Sequence, residues 1–592
     1  MSRFVARLVA GEPPRLVADP GAVEAEGCLV LLRGYLGNRA ELDAEARRRG
    51  HRPPACDAGR VALAFRWWGA ELARHVVGEY AAAVYDPGAR TLLLAHDELG
   101  LAPLFYAAGP GGVAFGTPLE DVVAETGVDG LDEEFIADYF AQGQHFGART
   151  PYAAIRRLRA GESVVWRDGR DSRHDVRTLN GVRPLRCRDE REYADAVRER
   201  LEEGVAAALP EEGRAWCELS GGLDSSTVLG IAARLGAPGL AAVSMVYPLS
   251  HTADETKWMR VVLDEHPVPW HPVDADAVRP FTELPRSFFA EPNLWLPSCG
   301  LARTCRELFR EHGVDVVLTG QGGDAVFHGD VPRPYFLADL LRRGRAAEAW
   351  RRARDWGAAS DERRPPVYLL HRFGLRAALR HLRGRALDLP PVAVPWADQR
   401  YAAAVGLGER GRASPAPGGR TVEAAYHMER VMHNAAAAAV HFAHASTGAE
   451  YRHPLFHRPL VELMLSLPWE HKYRTDGDRP LQRLAMEGVL PRRTLRRRGK
   501  QGPDQATQEG LESGEAWIDL LTARPRIVER GYAAAGPWRE AVQHARFGRT
   551  AGIRHFMSSA NLEAWLQGLE SFAPRSRLAA GLSAGAAAAA AV

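Results

Sequence analysis

Seven consecutive residues, Ser220-Gly221-Gly222-Leu223-Asp224-Ser225-Ser226, stand between the apolar run "AWCEL" and the helix-like run "STVLGIAARLG". If the first run is a strand and the second a helix, the seven form the turn at the carboxyl end of a parallel strand, where open α/β sheets bind ligands. Gly221 and Gly222 let backbone N–H groups come close to an anion. Ser220, Ser225 and Ser226 add hydroxyl donors, and the helix N-terminus favours negative charge. Such a turn is a phosphate cradle. The pattern G-x-x-x-x-G-K-[ST] is absent, so it is not the P-loop of common ATPases, and Asp224 offers the hard oxygen that a magnesium-bridged pyrophosphate requires.

The elements that must hold this turn follow from the patterning. A chain of 592 residues exceeds one ordinary core, so two main globular units are expected. Residues 1–180 alternate short β-type runs such as "GCLVLLRGYLG", "AAAVYDP" and "TLLLAHD" with turns rich in Gly, Pro and Asp, and read as a sheet-rich domain. After a break near "TLNGVRPLRCRDE", residues 190–575 alternate helical runs with "AWCEL", "LAAVSMVY" and "VDVVLTG", the signature of a parallel sheet covered by helices. Residues 333–445 are mostly helical, interrupted by "GLGERGRASPAPGGR", which reads as a mobile loop, and the Ala-rich stretch 576–592 reads as a flexible tail. The fold class is therefore α/β.

Composition excludes several partner classes. The 76 basic and 74 acidic side chains nearly cancel, which leaves no electrostatic footprint for nucleic acid or for a membrane surface. Six cysteines carry no C-x-x-C pair and no His-rich neighbour, so neither a zinc knuckle nor a disulfide framework is indicated, and reduced thiols in a cytoplasm fit best. No apolar run is long enough for a signal core or a membrane span.

The S-G-G-x-D-S-S run resembles the pyrophosphatase-type loop of enzymes that split ATP into AMP and pyrophosphate to activate a substrate carboxyl. "VVLTGQGGDAVFHG", Val316–Gly329, resembles the second ATP-site motif of the asparagine synthetase family, and "AEYRHPLFHRPLVELMLSLPWEHKYRTDGDRPLQRLAMEGVLPRRTLRRRGKQG" resembles that family's C-terminal segment. "GYLGNRAEL", "FRWWGAELARHVVGEYAAAVYD" and "LAHDELGLAPLFYAAGPGGVAFGTPLEDV" follow the landmarks of its glutaminase half in order. The resemblance implies an N-terminal Ntn-hydrolase-like β-rich sandwich and a C-terminal PP-loop ATP pyrophosphatase-type parallel-sheet domain with a helical subregion. It implies ATP and Mg2+ as cofactors, Asp224 and Asp324 as magnesium ligands and Lys500 as the positive charge on pyrophosphate and the reacting carbonyl, with Arg452 and Pro454 marking the turn before it. Adenine is expected beside Ser244, Met245 and Val246, and Thr319, Gly320 and Gln321 complete the nucleotide site.

The chain also departs from the family. A glutaminase requires an N-terminal cysteine, and the sequence begins Met1-Ser2-Arg3; the Asn-Gly-Glu substrate clamp is replaced by Arg33-Gly34-Tyr35. An amine from a source other than glutamine is expected. Gln321 stands where β-lactam synthetases carry tyrosine and asparagine synthetases carry glutamate. The chain most resembles lasso peptide cyclases, which activate an Asp or Glu side chain of a precursor peptide and let the peptide's N-terminal amine attack it. A leader peptidase and a leader-binding protein would be partners. Asp254 and Glu255 are candidates for holding the amine, or for starting a helix at Thr256. His441 and His444 share a helical face with no carboxylate or cysteine pattern to complete a metal site. An asparagine-synthetase-like or β-lactam-type synthetase acting on a small molecule is the alternative enzyme, and a non-catalytic scaffold for peptide maturation is the alternative of another class.

Overall fold

The structure, a computed structural model, describes residues 4–9, 15–18, 22–109, 112–128, 130–143, 147–286, 288–293, 295–329, 333–359, 363–385, 387, 392–410, 419–445, 448–475, 477–499, 504–548 and 553–571. Ser2, Lys500, the loop 411–418 and the Ala-rich stretch 576–592 lie outside the described residues.

In the first half, strand residues alternate between two hydrophobic layers. In the strand Gly78–Asp86, Ala81, Ala83 and Tyr85 point one way while Tyr80, Ala82 and Val84 point the other, and both sets are buried. Such a strand must be covered on both faces. A six-stranded antiparallel sheet containing it therefore packs one face against a five-stranded antiparallel sheet, through Phe4, Leu8, Leu94, Tyr106 and Phe115. Its other face lies under the helices Arg39–Arg48 and Asp57–Trp68, and the helices Leu119–Thr126 and Glu133–Gln142 lie against the second sheet. The result is a β-sandwich between helical layers.

The second half is built on five parallel strands: β1 (Ala215–Glu218), β2 (Ala241–Val246), β3 (Trp270–Asp274), β4 (Val316–Leu318) and β5 (Glu450–Arg452), in the spatial order β3-β2-β1-β4-β5. The strands are short and apolar on both faces. Cys217, Ala242 and Leu318 enter one core, and Trp216, Val243 and Val317 the other. Helices α1 (Glu190–Ala208), α2 (Leu223–Arg234), α3 (Thr256–Glu265), α4 (Cys299–His312) and α5 (Val422–Ala445) surround this sheet. Asp189 caps α1 by accepting from the backbone N–H groups of Arg191 and Glu192. The chain leaves β1 for β2 on one side and returns to β4 on the other, so the carboxyl ends of β1 and β4 face a switch point of the topology, where open sheets leave a crevice. No described helix is long and apolar enough to cross a membrane.

Candidate functional site

The crevice at the ends of β1, β2 and β4 is a cavity of ≈ 410 Å³. Ser220, Gly222, Asp224 and Ser225 line one side and Gly320, Gln321, Gly322 and Asp324 the other. The turn after β1 is shorter than the sequence suggests. Gly222 has extended backbone and acts as N-cap, and α2 begins at Leu223, so Asp224, Ser225 and Ser226 belong to its first turn. An aspartate and two serines suit that position, since the unpaired N–H groups and the dipole favour them. Ser225 Oγ lies 3.1 Å from Ser220 Oγ and accepts from Ser220 N at 3.2 Å, which folds the turn over the helix end. Ser226 is fully buried beneath the helix and does not line the cavity.

Glycine is required where the two loops meet. A Cβ on Gly320 would lie 2.5 Å from Ser225 N, and one on Gly323 would lie 2.2 Å from Asp224 Oδ1. Gly221 has φ +69 and backs onto Trp258 and Met259, where a Cβ would lie 2.6 Å from the Trp258 side chain. The sheet also uses two of the expected nucleotide residues internally. Ser244 is buried, donates to Leu219 O at 2.6 Å and accepts from Trp270 Nε1 at 3.0 Å. Thr319 Oγ1 accepts from Gln321 N at 3.2 Å. Met245 lines the cavity, while the carbonyl of Val246 accepts from Ala275 N at 2.9 Å.

Asp224 and Asp324 converge on one cation. Arg479 Nη1 donates to Asp224 Oδ2 at 2.6 Å and lies 3.1 Å from Asp324 Oδ1, and Gln482 Nε2 donates to Asp224 Oδ1 at 2.9 Å. Arg479 adopts φ +50 as N-cap of the helix Pro480–Ala485 and also pairs with Asp478 at 2.8 Å. Although burial opposes its charge, the three carboxylates raise the guanidinium above its usual range. Two hard carboxylate donors that share one positive group, in a cavity of this size beside a Gly-Gly-Ser turn, fit a magnesium–phosphate site.

Glu255 and Arg497 form a buried ion pair within the cavity wall, with Arg497 Nη1 also donating to Gly221 O at 2.8 Å. Asp254 instead accepts from Thr256 N at 3.1 Å and Oγ1 at 2.5 Å, which starts α3. The chain reaches the cavity at Gly499, the residue before Lys500. His441 and His444 lie on α5, and their side chains are outside the described residues. On the same helix Glu423 and His427 converge with His328, but the Lys472 ammonium lies 2.7 Å from Glu423 and supplies the positive charge there. Arg479, Gln482 and the Glu255–Arg497 pair are the site residues that sequence reasoning missed or left open. Arg479 sits before Pro480 in "DGDRPLQR", where only the structure reveals its positive φ and its carboxylate partners.

In the first half, the positions of the glutamine clamp carry structural contacts. Arg33 Nη1 donates to Thr117 Oγ1 at 2.6 Å. Tyr35 is buried, donates to Glu79 Oε2 at 3.4 Å and lies under the Arg452 guanidinium, 4.6 Å from its ring. Glu79 in turn accepts from His453 N at 2.8 Å and lies 2.5 Å from its Nδ1. Arg452 O accepts from Thr319 N at 3.0 Å, so these contacts reach the loop after β4.

Comparison with known proteins gives the same two halves. The family model described as asparagine synthase matches residues 196–567, and that described as glutamine amidotransferase domain matches residues 13–176. The chain is similar to asparagine synthetase [glutamine-hydrolyzing] 3 of Bacillus subtilis, 22% identical over 84% of this chain and 79% of that protein. It is similar to Amidase chyE of Penicillium rubens, 27% identical over 48% of this chain and 44% of that protein, less than half the relative's length. A putative asparagine synthetase [glutamine-hydrolyzing] of Mycobacterium bovis is 30% identical over 36% of this chain and 34% of its own length.

Proposed function

The chain belongs to the asparagine synthase family, whose chemistry is ATP-dependent amide formation, and on that premise we propose that it closes a precursor peptide into a macrolactam. In this reading an Asp or Glu side chain of the peptide is activated with ATP and joined to the peptide's own N-terminal amine. The observation that carries it is a contrast between the halves. Asp224 and Asp324 meet in one cavity under the Gly-Gly-Ser turn, whereas Arg33 and Tyr35, which replace the expected glutamine clamp, are engaged by Thr117, Glu79 and Arg452. An active site that activates a carboxyl, beside a domain that cannot clamp glutamine, takes its amine from the substrate.

ATP with magnesium supplies the leaving group, and the protein's part is to bind, orient and neutralise. Gly222 and the first turn of α2, at the cavity, would present N–H groups to the phosphates, and Asp224 and Asp324 would hold the divalent ion. Lys500, one residue beyond the cavity-lining Gly499, is the proposed charge on the reacting carbonyl. Holding both ends of one peptide makes the attack intramolecular, which replaces a bimolecular encounter by enforced proximity. A leader peptidase and a leader-binding protein are the proposed partners.

The test is mass spectrometry of free-amine peptides bearing Asp or Glu several residues along, with the protein, magnesium and ATP. Loss of one water with formation of AMP and pyrophosphate, blocked by N-acetylation, is expected. The relative matched over 84% of this chain is named an asparagine synthetase, which favours amidation of a small carboxylate as a second reading. Amide formation on a small acid with none on any peptide would select that reading.

A further inference from the structure

The side chains of β1 alternate across the sheet, Cys217 and Leu219 entering the core beneath α2 and Trp216 packing with Phe309 and Cys305 of α4. The same alternation turns Glu218, at the strand's carboxyl end, toward the α4 face, where it lines the cavity together with Asp224, Gln321 and Arg497. Cys217 beside it on β1, Cys305 of α4, Tyr451 of β5 and His453 just after β5 are the titratable groups coupled to its charge. Among the described residues, Asp224 and Asp324 share Arg479, and Glu255 holds Arg497. Glu218 is the remaining carboxylate of the cavity wall, and it makes no hydrogen bond or ion pair among the described residues. An unpartnered carboxylate against an apolar strand end is costly unless the cavity receives a donor or a positive charge that meets it.

We infer that Glu218 is the proton acceptor for the amine that attacks the activated carboxyl, an inference that rests on the ligase reading above. The nitrogen arrives as an ammonium and its charge is met by the Glu218 carboxylate. One proton passes from nitrogen to a Glu218 Oε, which frees the lone pair. The nitrogen then bonds to the carbonyl carbon, the C–O bond to the AMP phosphate breaks, and AMP leaves with that electron pair. The second proton of the nitrogen departs with the AMP phosphate. Gln321, which reaches the cavity from the end of β4, is an amide and takes no proton at neutral pH. Burial pushes the Glu218 carboxyl up to about 7, with nearby His453 pulling it back. Its acid form accepts no proton, so ring closure falls as pH drops through that value, by about tenfold per pH unit below it.

The experiment compares full-length wild type with Glu218→Gln, using magnesium, ATP and the free-amine Asp/Glu peptides. In parallel, hydroxylamine is supplied to the acetylated peptides as a nucleophile that is largely neutral at pH 7 and captures the activated carboxyl without a base. Ring closure in the variant is expected to fall by roughly 10²-fold or more and to lose the acidic limb of its pH profile. Hydroxamate formation is expected to stay within about threefold of wild type, which also reports that the variant folds. A substrate-free arm titrates protein labelled with 13C at the glutamate carboxyl and takes the wild-type minus Glu218→Gln difference spectrum; one carboxyl titrating near 7 is expected. Ring closure by the variant at the wild-type rate with the same pH profile overturns the inference, as does a difference signal titrating in the ordinary range, about 4 to 5. If wild type forms neither ring nor hydroxamate with any peptide, the peptide-ligase reading is what falls, and the titration still decides whether Glu218 is the raised carboxyl.

Discussion

Arg479 shows how one residue reports the purpose of two others. Its Nη1 spans Asp224 and Asp324 at 2.6 and 3.1 Å, and without a positive charge those carboxylates would repel each other across the crevice. Removing either acid takes a hard ligand from the proposed metal position, not a core contact. Asp224→Asn and Asp324→Asn should therefore each lower AMP formation on the order of 10³-fold while the protein stays folded, as pyrophosphate release and thermal melting would show. Arg479→Gln should behave differently. In EDTA it removes the guanidinium that the two acids share and should cost about 1–3 kcal/mol, read as a lowered Tm, and magnesium should restore much of that loss. A Tm in EDTA equal to that of wild type would show that the guanidinium balances no charge there.

At the scale of elements, the site depends on two loops approaching more closely than side chains allow. Gly320 sits after β4 and Ser225 on the first turn of α2, and a methyl at Gly320 would meet a backbone nitrogen at 2.5 Å, which cannot rotate away. Gly320→Ala should therefore push the loops apart, costing about 1–3 kcal/mol and abolishing AMP formation. Gly568→Ala is the control, since among the described residues nothing lies within 4 Å of its Cβ on the helix Ile553–Ser571, and it should stabilise by about 0.5–1 kcal/mol. Equal melting temperatures for the two variants would refute the close approach. These loops were legible in the sequence because glycine, aspartate and serine at a strand-to-helix junction have few other uses, and the sheet-rich first half was legible because short β-type runs such as "AAAVYDP" set between turns are local signals, whereas its sandwich form was implied by the family resemblance. The register of the helix start was not legible, since Leu223 reads equally well as turn or helix until Gly222 is seen to be extended. Arg479 was hidden for a different reason: its partner Asp224 is 255 residues away, and in "DGDRPLQR" it reads as one more solvated base. Glu218 was hidden because a charged residue after "AWC" reads as the end of a strand, and only the sheet shows that the strand ends in a cavity.

At the scale of the molecule, the two halves share their cores. One core joins Tyr35, Leu99 and Leu101 of the first half to Val205, Phe327 and Leu455 of the second, and another joins Phe135, Ile136 and Phe140 to Trp517, Trp538 and Trp565. A half that no longer supplies glutamine-derived amine in the proposed reaction therefore still completes the ligase. Residues 184–592 expressed alone would expose those apolar faces and are expected to aggregate, whereas the full chain should melt in a single transition. The buried Glu79–His453 contact tests the coupling without deleting a domain. Glu79 accepts from His453 N at 2.8 Å and approaches Nδ1 at 2.5 Å, and the neighbouring Arg452 carbonyl holds Thr319 N, two residues before Gln321. Glu79→Ala removes the carboxylate that accepts from His453 N and lies beside its ring nitrogen, a cost of about 1–3 kcal/mol. Its Tm should fall, and the rate of AMP formation should fall with it although no residue of the nucleotide site has changed. A variant with lowered Tm and undiminished AMP formation would confine the first half to stability, and two separate melting transitions in the wild type would show that the halves fold independently.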